Sequence, residues 1–112
     1  FKENCPDTRN SKVEDIIKRL SEYGIDPIVV DPWASPRDAM HEYGVTLTDI
    51  SDVKDADCII LAVAHNEFRQ MSLSEIKKMF KECPDNEKVL LDVKGLYSVS
   101  DLVASGMKYW RL

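Results

Sequence analysis

Val13, Ile16, Ile17 and Leu20 recur at i, i+3, i+4 and i+7, which places them on one face of a helix. Asn10 or Ser11 can cap that helix, which runs through about Tyr23 and stops at Gly24. Residues 27–31 read as a short strand buried on both sides. Ser35-Pro36 pairs an N-cap with a first-turn proline and opens a second helix, which Gly44 ends. A short strand at 45–47 and one helical turn at 51–54 follow. Residues 58–64, Cys-Ile-Ile-Leu-Ala-Val-Ala, form an apolar run without alternation, the mark of a central parallel strand covered on both faces. Residues 67–71 are helical in pattern. Ser72 or Ser74 then caps a helix through about Lys81 that buries Ile76, Met79 and Phe80. A strand at 88–92, a helical turn at 99–104 and an edge strand at 107–111 complete the pattern.

Strands alternating with helices define an α/β domain, a three-layer, doubly wound, Rossmann-like parallel sheet. Ligands of such sheets sit at the carboxyl ends of the strands. Residues 2–9, 31–33, 65–68 and 92–95 all fall there or at the entry to the first helix. That helix needs a sheet beneath its apolar face, yet no strand precedes it. The expected sheet therefore lacks its first central strand, and residues 1–112 are expected to be a single domain cut from a larger protein.

Composition narrows the partners. The 112 residues are 44% hydrophobic and 31% charged, ordinary for a folded domain. A net charge of −5 argues against nonspecific nucleic-acid binding, which needs basic surface. Residues 1–12 run against that balance, since Lys2, Arg9 and Lys12 outnumber Glu3 and Asp7. Three cysteines at irregular spacing do not make a disulfide framework and suit a reducing cytoplasm. No apolar run is long enough for a membrane span. No metal site is expected.

The opening stretch Phe1-Lys2-Glu3-Asn4-Cys5-Pro6-Asp7-Thr8-Arg9 carries the chemistry. It leads two cations into a helix N-terminus, where unpaired N–H groups and the helix dipole favour an anion. The same residues also fit a solvated loop in which Lys2 and Arg9 pair with Glu3 and Asp7. No Gly-x-Gly-x-x-Gly occurs, so the backbone has no glycine turn for a pyrophosphate and side chains must hold any phosphate. His65 is a candidate for the binding rim or a strand-end histidine bonded to backbone. Trp33 either stacks on a base or packs against a neighbouring domain. Asp31 follows the second strand, where dinucleotide folds place their ribose acid, and it also fits a residue that shapes the Pro32 turn. Cys58, within the long strand, is expected in the core, and Cys83 carries no signal.

Phe1-Lys2 with Asp7-Thr8-Arg9, Asp31-Pro32-Trp33, Ala62-Val63-Ala64-His65 with Glu67-Phe68, and Asp92-Val93-Lys94-Gly95 together resemble one family. It is the C-terminal, UDP-binding domain of the UDP-glucose/GDP-mannose dehydrogenases. The fuller opening signature and the closing Tyr109-Trp110-Arg111-Leu112 look most like the bacterial branch that acts on UDP-N-acetylhexosamines for surface polysaccharide synthesis. The resemblance implies oxidation of a nucleotide sugar's C6 alcohol to a carboxylate with two NAD+, through a thiohemiacetal on a cysteine. It implies that Lys2, with Phe1 beside it, contacts the UDP-sugar and that Arg9 reaches NAD held mainly by an N-terminal domain. Lys94 stands where relatives commonly carry an arginine that reaches the nucleotide sugar, often across a homodimer contact. The family's nucleophile lies in a glycine-rich loop upstream, so Cys5 is not it and no catalytic residue is expected in this chain.

Two rival classes remain. A stand-alone flavodoxin-like regulatory module, such as a receiver, needs a phosphoacceptor aspartate where the long strand ends in Ala64-His65. A protein-interaction domain would use Trp33, Tyr109 and Trp110 as anchors.

Overall fold

In the computed structural model, which describes residues 1–112, the chain forms two compact units, Phe1–Val53 and Lys54–Leu112. The first holds helices α1 (Val13–Glu22) and α2 (Pro36–Tyr43) and a short 3-10 turn, Ile50–Asp52. The apolar face of α1 forms as its spacing predicts, but none of its residues is fully buried. Ser35 accepts a hydrogen bond from the Asp38 amide at 3.3 Å, and Gly44 closes α2 in the left-handed region at φ 66°. Both ends of α2 thus follow the sequence. The expected strands at 27–31 and 45–47 do not form; a single parallel bridge joins Val29 to Leu47. Burial on both sides fails there because Ile28 is 62% exposed. The core of this unit is small. Phe1, Ala34 and Ala39 are buried, with Val13, Ile17, Tyr43 and Leu47 packed against them.

The second unit carries a parallel sheet of strands β1 (Cys58–Leu61), β2 (Val89–Asp92) and β3 (Lys108–Arg111), in that order. Helices α3 (Asn66–Arg69), α4 (Leu73–Lys77) and α5 (Val99–Ser105) connect them. A capping box starts α4: Ser72 accepts from the Glu75 amide, and the Glu75 carboxylate accepts from the Ser72 amide. The helix ends at Lys77 rather than continuing to Lys81, and Phe80 instead bridges Ala56. Ser98 caps α5, accepting from Asp101 N at 3.1 Å.

Register places β2, not β1, at the centre. Ile59 sits beside Leu90 and Leu61 beside Asp92, so these side chains share a face. That face is enclosed: Leu61, Leu90, Ile76, Phe80, Leu102 and Met107 form the core of the unit. The opposite face, with Ile60 and Leu91, is only half-buried. The unbroken apolar run of β1 overstated its burial. Cys58, expected in the core, is exposed because it opens an edge strand whose burial rises only towards Leu61. Lys88 shows the reverse. Its buried ammonium donates to Cys83 O at 2.6 Å and to Asp85 at 3.1 Å, closing the turn before β2.

Candidate functional site

The loop before α1 is built around one carboxylate. Asp7 accepts from Lys2 Nζ at 3.0 Å, from Arg9 Nε at 3.1 Å and Nη2 at 3.4 Å, and from the Arg9 amide at 2.9 Å. The two cations expected to face a ligand are therefore brought together, and Asp7 is what joins them. These bonds, those from Arg9 first, hold the Asp7 carboxyl well below the usual carboxylate range. Local sequence explains the path. Asn4 and Asn10 take φ of 47° and 55°, the left-handed region that asparagine tolerates, and turn the chain at either end of the loop.

Buried groups fix the loop in place. The Phe1 ring stacks on Tyr43 with centroids 4.9 Å apart, and its main-chain nitrogen donates to Asp31. The Phe1 carbonyl accepts from Ser11 Oγ at 2.8 Å, and that hydroxyl accepts in turn from Val13 N at 3.1 Å. The Tyr43 hydroxyl donates to the carbonyl of buried Thr8. Phe1 itself is buried at 6% exposure and belongs to the core of this unit. Ser11 does act at the helix entry, though by joining α1 to the loop. Lys2 is half-exposed and the Arg9 side chain is 74% exposed, so both cations keep a solvent-facing side. Asp31 shapes its turn as expected, accepting from Trp33 N at 2.9 Å and Ala34 N at 3.0 Å, and Trp33 projects from that turn at 39% exposure. Cys5 lies half-buried within the loop, its amide donating to Lys2 O at 3.3 Å.

In the second unit, Lys94 and His65 follow the carboxyl ends of the adjacent strands β2 and β1. Lys94 is exposed. His65 is fully buried, its ring tilted 60° against Phe68, which puts it beneath any rim rather than on it. Its carbonyl starts α3, accepting from the amides of Phe68 and Arg69 at 3.0 Å. The Lys94 loop is held from below by buried Asp92, whose carboxylate accepts from Leu96 N at 2.9 Å and Tyr97 N at 3.0 Å. The Tyr97 hydroxyl donates to Met71 O at 2.6 Å, and burial, aided by Asp92 and Glu75, pushes its pKa up to about 12.

Sequence reasoning missed Tyr43, Ser11 as a clamp, and Asp92 as a loop cap. Asp92 could have been found, since an aspartate ending a strand before a Lys-Gly turn is a capping signal. Tyr43 could not, because no spacing rule links it to Phe1.

Three parallel strands with helices between them make this an α/β fold of the Rossmann-like class. Residues 1–99 match the UDP binding domain of the UDP-glucose/GDP-mannose dehydrogenase family, and the chain belongs to that family. It is 52% identical over 96 residues to a UDP-N-acetyl-D-glucosamine 6-dehydrogenase of Pseudomonas aeruginosa, covering 86% of this chain and 22% of the relative. A UDP-N-acetyl-D-glucosamine 6-dehydrogenase of Salmonella typhi is 38% identical over 96 residues, covering 84% of this chain and 21% of that protein. The chain thus spans about a fifth of the length of these relatives. Its fold is shared with the crystal structure of an NDP-N-acetyl-D-galactosaminuronic acid dehydrogenase from Methanosarcina mazei Go1. That match has a TM-score of 0.80 and 21% identity, and covers 99% of this chain and 22% of that one.

The residues present do not make a dinucleotide cradle. Gly24 and Gly44 end helices, and the open face of Gly95 is filled by the Arg111 guanidinium, 3.1 Å from where a Cβ would stand. None of these glycines belongs to a Gly-x-Gly-x-x-Gly turn of the kind that lets backbone approach a pyrophosphate.

Proposed function

We propose that this chain is the UDP-sugar-binding domain of an NAD-dependent nucleotide-sugar 6-dehydrogenase that makes a uronic acid from a UDP-N-acetylhexosamine for surface polysaccharide. Lys2 and Lys94 would meet the nucleotide sugar, and Arg9 would reach NAD held by an N-terminal domain. The supporting observation is the opening loop. Its two cations share Asp7, keep exposed donors, and lie in the segment that matches the family. An ammonium carries more donors than the one Asp7 takes from Lys2, which leaves others for a phosphate oxygen. Asp7 orients both cations and lowers their net charge, so discrimination rests on placement more than on attraction. NAD, when bound, would accept the hydride; the chain's own residues hold and orient the nucleotide sugar.

Affinity follows from this arrangement. A charge-assisted hydrogen bond contributes about 1.5–3 kcal/mol net, and one or two of them against association costs give roughly millimolar binding. Firm binding would then need the N-terminal domain and a second copy in a homodimer. Free Cys5, Cys58 and Cys83 fit a cytoplasmic enzyme, and no helix is long and apolar enough to cross a membrane.

The test is substitution within an enzyme that contains this chain. Lys2→Ala and Arg9→Ala should abolish most UDP-N-acetylhexosamine oxidation, whereas Lys18→Ala, an exposed helix cation, should not. Unchanged turnover in the first pair would favour a protein-interaction role instead.

A further inference from the structure

We propose that Arg111 is a positioning residue that holds the Lys94 loop in its binding shape. The inference rests on the nucleotide-sugar reading of Lys94 and deepens it. Parallel register sets Arg111 beside Asp92, the last residue of β2, so the guanidinium reaches across the turn that follows. Its Nε donates to Tyr97 O at 2.8 Å, and Nη1 donates to Leu112 O at 3.2 Å. The planar group lies over Gly95. A Cβ there would stand 3.1 Å from Nη2 and 3.2 Å from Cζ, tighter than ordinary contact. Gly95 sits at φ 66°, so the turn needs glycine twice, once for its backbone and once to seat the arginine.

The far end of the loop is thus gripped from two sides. Asp92 takes the amides of Leu96 and Tyr97 from within the unit, and Arg111 takes the carbonyl of Tyr97 from its surface. Lys94 lies between β2 and these contacts and is exposed. A flexible lysine on a loose loop loses entropy on meeting a phosphate; a pinned loop loses less. Lysine could not replace Arg111, because it lacks the flat fork that both covers Gly95 and donates sideways to Tyr97.

The experiment is a UDP titration of the full 112-residue chain, followed by amide NMR and hydrogen exchange, in wild type, Arg111→Ala, Arg111→Lys and Lys108→Ala. Arg111→Ala should speed exchange at Gly95, Leu96 and Tyr97 and weaken UDP by about tenfold, the scale of one charge-assisted hydrogen bond. Arg111→Lys should restore neither property. Lys108→Ala removes the same charge from the same strand and should change neither. Amides of Ile59 and Leu90 should stay protected throughout, marking an intact sheet; if Arg111→Ala unfolds, Arg111→Lys carries the test. Unchanged loop exchange in the Arg111 variants, or an equal loss of affinity in Lys108→Ala, would overturn the proposal. If wild type binds no UDP, the nucleotide reading fails, and loop exchange alone decides whether Arg111 positions the loop.

Discussion

Two ionisable residues give the account its sharpest single-residue consequences. Asp7 is held charged by Arg9 and Lys2, so its folded pKa is depressed. Its contribution to stability is present above the unfolded value, near 4, and is lost only as pH falls well below it. A carbon-detected titration of the Asp7 carboxyl should therefore show no midpoint in the ordinary carboxylate range; a midpoint near 4 would mean that the loop is not tied. Tyr97 behaves oppositely. Its hydroxyl is pushed up to about 12, so the fold favours the neutral form. The unfolded chain ionises near 10, and stability from this residue is lost as pH rises through the interval between the two. Tyr97→Phe should flatten that alkaline loss in denaturation curves measured from pH 9 to 12. Cys58, although exposed on the residue average, has its thiol pushed up by local burial and by Asp57, so thiol reagents should react with it slowly at neutral pH.

At the scale of elements, what the sequence made legible were the caps and stops. Ser35-Pro36, Gly44 and Ser72 each do what their residue types dictate, because caps are local chemistry decided within a few residues. The strands were less legible. Residues 27–31 looked like a buried strand from composition, but a strand needs a ladder partner, and only Val29 finds one. The apolar run of β1 concealed its place at the sheet edge, because continuity of apolar residues does not say which face is covered. Two glycines separate backbone from packing. Gly44 and Gly95 share φ 66°, but nothing lies within 4 Å of a Cβ at Gly44, whereas Arg111 lies against one at Gly95. Alanine at either should cost roughly 1–2 kcal/mol from the left-handed backbone alone. Only Gly95→Ala should also shift the Leu96 and Tyr97 amides; equal shifts from both would contradict the packing described for Arg111.

For the whole molecule, the family and the Rossmann-like class were readable because the motifs are contiguous stretches, the opening nonapeptide and Asp92 to Gly95 among them, and these lie within the matched residues 1–99. The supports of the candidate site were not, because Phe1 on Tyr43 and Arg111 on Gly95 are meetings between segments distant in sequence. Several consequences belong to this scale. The 112-residue chain alone should reduce no NAD with any UDP-sugar, checked by absorbance at high protein concentration, because it offers no cradle for the dinucleotide. Its grip on the nucleotide should be weak, and Lys2 and Lys94 are the residues proposed to supply it. The direct measurement is a UDP titration of this chain by amide NMR, with Lys2→Ala and Lys94→Ala alongside wild type. The account predicts saturable shifts at residues 2–9 and 93–97, roughly millimolar affinity, and a several-fold loss in each variant. Shifts confined to other residues, or affinity indifferent to both lysines, would contradict it.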